Sequence, residues 1–162
     1  MTSVLLVVPY EELQERFEAC VARQDTQDIQ IDICHLWGSR FFNLDFDQYH
    51  VIAARGITGY SIRERHPKVA FVEISVTSDD ILNTLSKAVE RFGRQRMAVV
   101  LPDSVRCNMG QIILLSGLAL EVFYIHDEED VEQTMDAIQQ EGIRYVIGGL
   151  TVYGACRKRG IS

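Results

Sequence analysis

Four pairs of identical residues, Pro9 and Pro102, Gly56 and Gly149, Thr58 and Thr151, and Tyr60 and Tyr153, stand 93 positions apart in this sequence. The apolar runs keep the same offset, 4–8 falling on 97–101 and 50–54 on 143–147. Self-similarity at a fixed offset marks a duplicated architecture. Whatever one half folds into, the other half is expected to match.

The repeated unit is an alternation of strand and helix. "SVLLVVP" (3–9) is a continuous run of leucine and β-branched residues ended by proline, the pattern of a strand buried on both faces. "YEELQERFEACVARQ" follows, with Leu13, Phe17, Cys20 and Val21 on one helical face. Further strands are read at 29–33, 50–54 and 69–74, with a weaker helix over 36–46 around Leu36, Phe41 and Phe42, and another over 58–66. A long helix spans 78–92, with Ile81, Leu82, Leu85, Val89 and Phe92 along one stripe. Thr77 and Asp80 stand at capping spacing at its start, and Gly93 ends it. Strands at 97–102, 120–125 and 144–148 then alternate with helices at 105–116, at 127–141 (Val131, Met135, Ile138) and from 151. Strands separated by helical crossovers make a parallel sheet. The expected fold is α/β: two similar lobes, 1–76 and 77–162, each a parallel sheet flanked by helices in three α/β/α layers, with an interlobe cleft. By the offset, the last strand of lobe two would align with 162–167, so that lobe is expected to be truncated before it.

A net charge of -7 argues against this chain itself gripping nucleic acid or an anionic membrane, because phosphate binding leans on clustered Lys and Arg. "RKR" (157–159), the one concentrated basic run, reads as a solvated face. The four cysteines (Cys20, Cys34, Cys107, Cys156) show no metal-ligand spacing and read as small core residues in a reducing compartment. His35, His50, His66 and His126 are dispersed, and the acids of "DEED" (127–130) suit the first turn of a helix better than a cation. No metal and no cofactor is expected. No signal peptide or membrane span is visible, so a cytoplasmic location is expected.

Ligands of open parallel sheets lie outside the carboxyl ends of the strands. The strand-to-helix turns there offer free N–H groups and a positive helix terminus, both attractive to anions. Two such turns stand out. "RGIT" (55–58) carries Arg55, whose planar fork fits a carboxylate or phosphate, with Gly56 and Thr58; "GGLT" (148–151) carries Gly148, Gly149 and Thr151. The acids of "PYEE" (9–12) and "PDSV" (102–105) make those turns poorer anion sites. Tyr10, Thr77, Ser78 and Ser104 complete the candidate ligand set. Glu73 and Ser75, where the chain leaves lobe one, are candidate hinge residues.

"VIAARGITGYSIRER" (51–65), "VEISVTSDDILNTL" (72–85) and "VIGGLTVYGACRKRGI" (146–161) together resemble the N-terminal sensor domain of the propionate-catabolism activators, a group of sigma-54-dependent regulators. Ile57, Ser75 and Thr77 depart from the family's usual glycine, proline and serine. The resemblance implies a flavodoxin- or chelatase-like build that binds a small anionic metabolite, in named members similar to 2-methylcitrate, between its lobes. It also implies a longer regulator in which an AAA+ ATPase meets sigma-54 RNA polymerase and another domain binds DNA, with no membrane partner and with a homodimer compatible. The leading reading is a non-catalytic sensor. The alternative is a small-acid isomerase or lyase of similar build, against which no acid/base pair is visible. A flavodoxin-like FMN binder is disfavoured, since no turn is a phosphate loop rich in Ser and Thr.

Overall fold

The computed structural model describes residues 1–36, 44–105 and 107–161, the side chain of Glu12 excepted. Two compact units divide them, Met1–Ile74 and Ser75–Ser162.

In the first unit β1 (Thr2–Val8) leads through α1 (Glu11–Val21) to β2 (Ile29–His35). After a 3-10 turn at Phe46–Gln48 come β3 (Val51–Ala54), α2 (Gly56–Arg65) and β4 (Ala70–Glu73). All pairings are parallel, in the order β2-β1-β3-β4. Strand alternation sends Leu5, Val7, Ile52 and Ala54 to one face, where they pack with Phe46 and Ile62 of α2 into a closed core. The helix expected over 36–46 falls mostly on residues outside the described set. On α1, Leu13, Phe17 and Val21 are only half-buried and Cys20 is exposed, so Cys20 is not the core residue expected. Cys34 does fit that reading, since burial pushes its thiol up to about 11.

The second unit begins with α3 (Ser78–Phe92) and continues β5 (Met97–Pro102), α4 (Met109–Ser116), β6 (Leu120–Ile125), α5 (Glu128–Gln140), β7 (Tyr145–Ile147) and α6 (Leu150–Arg159). Its sheet, parallel throughout, has the order β6-β5-β7. Met97, Val99 and Leu101 face Ile81, Leu85, Met109 and Ile112 of α3 and α4. The stripe foreseen on α3 is narrower than expected, because Leu82 is 41% exposed. The capping box is present: Asp80 N–H donates to Thr77 Oγ1, while Asp80 Oδ2 accepts from both the N–H and the hydroxyl of Thr77.

Three arginines tie this unit together. Arg94 donates to the carbonyls of Ser116 and Gly117 at the end of α4. Arg96 joins Glu121 to Glu141. Arg159 joins α6 to Glu132 and Asp136 of α5, so part of the "RKR" run is a clamp and not a solvated face.

The strand registers refine the repeat. Val4 pairs with Val51 and Met97 with Tyr145, so the offset is 97 - 4 = 93 in the first strands but 145 - 51 = 94 in the later ones. At 94, Arg55 corresponds to Gly149, and Thr58 to Val152 rather than to Thr151.

Candidate functional site

In both units the last βα turn starts its helix without a side-chain cap. Arg55 is the N-cap of α2, extended at φ -128° and exposed, and Gly59 N–H donates to its carbonyl. Helix α2 therefore begins at Gly56, two residues earlier than expected. Thr58 sits inside its first turn and is 7% exposed. The early start is available because Gly56 takes φ 61°, a conformation that costs a residue with a Cβ about 1–2 kcal/mol.

The second turn is built differently. Gly149 is the N-cap of α6, with Tyr153 N–H donating to its carbonyl, and Thr151 is the second helical residue, half-buried. Neither Gly148 nor Gly149 has a positive φ. A Cβ on Gly148 would lie 2.6 Å from Cγ1 and 2.7 Å from Cβ of Val152, whereas one on Gly149 would meet nothing within 4 Å. Gly148 thus makes room for the Val152 side chain in the first turn of α6.

The other candidates are spread over several places. Tyr10 is the N-cap of α1 and 40% exposed, with no side-chain cap bond. The Thr77 hydroxyl is committed to Asp80, and Ser78 opens α3 in an exposed position. Ser104 is half-buried in the turn after β5. Glu73 ends β4, and Ser75 is the first residue of the second unit.

One arrangement is not visible in the sequence. The β5–β6 register sets Pro102 beside Ile125, and the next residues carry Asp103 Oδ2 to 2.7 Å from His126 Nδ1. That hydrogen bond, and then the negative charge of Asp103, Asp127 and Asp130, holds the imidazole above its ordinary pKa. His126 N–H also donates to Asp130 Oδ2, and Asp127 caps α5. This end of the sheet is acidic, so within the second unit an anion is disfavoured beside β5 and β6. In the first unit a weaker tie, His35 Nε2 to the Pro9 carbonyl at 3.2 Å, spans the ends of β2 and β1.

Within the second unit a pocket of about 280 Å³ opens between α3 and the outer side of β7. Among the described residues no group of three or more His, Cys, Asp or Glu is placed to hold a metal, and no helix is long and apolar enough to cross a membrane.

A family profile described as propionate catabolism activator matches residues 43–162. The fold is similar to that in a crystal structure of an NtrC family transcriptional regulator from Clostridium acetobutylicum. The TM-score is 0.78 at 19% identity, over 99% of this chain and 84% of that one. No curated protein matches the sequence.

Proposed function

We propose that this chain, which belongs to the propionate catabolism activator family, is the effector-sensing domain of a sigma-54-dependent transcriptional regulator. Its ligand is a small anionic metabolite, a polycarboxylate of the 2-methylcitrate kind, for which the turn 55–58 is the first candidate site and the turn 148–151 the second. Occupancy sets the activity of an AAA+ ATPase and a DNA-binding domain carried elsewhere in a longer cytoplasmic polypeptide. The structural neighbour, itself described as a transcriptional regulator, supports the regulatory part of this reading.

The observation that carries it is Arg55. An exposed guanidinium stands at the N-cap of a helix, at the carboxyl end of a parallel strand, beside a glycine with positive φ. A positive helix terminus, the N–H groups of a first helical turn and a planar fork belong to the same short segment, the chemistry a carboxylate needs. Such a sensor works only if the ligand binds one state of the protein better than another.

A second reading rests on Asp103 and His126, an acid–base pair at strand ends where a parallel sheet presents substrates. It makes the protein an isomerase or lyase acting on a small acid. Calorimetric titration with 2-methylcitrate, citrate, propionate and inorganic phosphate separates the two. Sensing predicts saturable binding of a polycarboxylate with no change in its NMR spectrum over hours. No binding by any of the four sinks the sensor; conversion that stops in His126→Gln establishes the enzyme.

A further inference from the structure

The pocket beside β7 has one wall of helix and one of sheet edge. Strand β7 ends the order β6-β5-β7, so among the described residues its outer edge has no strand partner. Unpaired N–H and C=O groups along an edge are a template for another strand. Above that edge α3 presents Thr84, Lys87 and Arg91, while Phe92 and Tyr145 stack with centroids 4.9 Å apart to form an apolar floor. The Arg91 guanidinium lies over the Phe92 ring at 5.2 Å. Neither Lys87 nor Arg91 forms an ion pair with another described residue. In a chain of net charge -7, two cations that form no ion pair among the described residues, set over an apolar groove, suit a carboxylate.

The first unit shows what fits such a place. There β4 follows α2 and pairs in parallel with β3, Val51 to Ala70 through Ala54 to Glu73. Carried over at the offset of 94, the equivalent strand would follow α6 and run beside Tyr145–Gly148. Its side chains opposite Tyr145 and Ile147 would enter the pocket under α3. Helix α6 also ends as a chain about to turn does, with Gly160 left-handed and Ile161 N–H donating to the Cys156 carbonyl.

We propose that the outer edge of β7 receives a parallel strand from the polypeptide following α6 in the full regulator, with a carboxylate on that strand held by Lys87 and Arg91. This rests on reading the chain as one domain of a longer regulator. The strand would continue from α6, the helix whose first turn is a candidate effector loop, and so links that loop to what lies downstream.

Hydrogen exchange at residues 145–147 tests it, comparing the full-length regulator with residues 1–162. At least tenfold slower exchange is expected in the full-length protein. Lys87→Glu with Arg91→Glu should return it toward the rate of the shorter chain while leaving that chain's melting temperature unchanged. Equal exchange in the two proteins overturns the proposal. So does protection in residues 1–162 that rises with concentration alongside a dimer in light scattering, which gives the edge to a second copy. A protected edge without effector binding upholds this strand and sinks only the sensing reading; effector binding with an unprotected edge does the reverse.

Discussion

The turns after β3 and β7 look like copies of one motif, yet the two lobes build them with different physics. In lobe one the glycine that matters is Gly56, which supplies a left-handed residue, and the N-cap before it is a cation. In lobe two the glycine that matters is Gly148, which makes room for Val152, and the N-cap after it has no side chain. The same letters, G and T, therefore mark strain relief in one place and close packing in the other. Of the two helix starts, only the one in lobe one brings a fixed charge, so a duplicated fold presents an asymmetric pair of turns.

That asymmetry can be broken most visibly at Arg55. Arg55→Ala should weaken polycarboxylate binding by about 1.5–3 kcal/mol, the worth of a charge-assisted contact, with little change in unliganded stability. Calorimetry beside a thermal melt measures both. Thr151→Ala, at most one neutral hydrogen bond on the uncharged turn, should cost roughly 0.5–1.5 kcal/mol. Equal losses would mean that the charge is irrelevant.

Gly148→Ala should come next, losing about 1–3 kcal/mol of stability in urea unfolding because its Cβ enters the space of the Val152 side chain. Gly149→Ala, with open space around it, should lose well under half as much. If the two behave alike, close packing is not why lobe two has its glycine. Gly56→Ala should lose about 1–2 kcal/mol through its positive φ, a cost no repacking relieves.

The smallest effect is expected at His126. Its folded pKa is raised, so its bond to Asp103 stabilises fully below the ordinary value of 6.5 and fades as pH climbs through the folded value. The melting-temperature advantage of the wild type over His126→Gln should be largest on the acid side of that range and close with rising pH. A difference that grows with pH would reverse the assignment.

The alternation of strands and helices was legible because buried parallel strands are continuous apolar runs, "MAVVLP" and "SVLLVVP" being the clearest. The helix over 78–92 was legible to the residue, its capping pair and terminal glycine being local signals. Helix α2 was misplaced by two residues because its cap is Arg55, not one of the hydroxyl or amide residues that announce a start. Helix α4 begins at Met109, not 105, because Asn108 caps it by accepting from the Gln111 N–H. The identities at offset 93 misled for a related reason. Hydrogen-bond register places a residue in a turn, and it sets Thr58 at the buried position that Val152 holds in lobe two. The Asp103–His126 pair was out of reach because nothing local joins residues 23 apart; only the pairing of β5 with β6 does.

The clamp at the far end of α6 has a mechanical meaning. Arg159 is bonded to Glu132 and Asp136 on α5, while at the opposite end of the same helix Val152 is buried against the backbone that Gly148 leaves open. A rod held at both ends carries a displacement of one end along its whole length. A shift of the first turn would thus move α6 as a unit and load α5 through Arg159, rather than loosening a single loop.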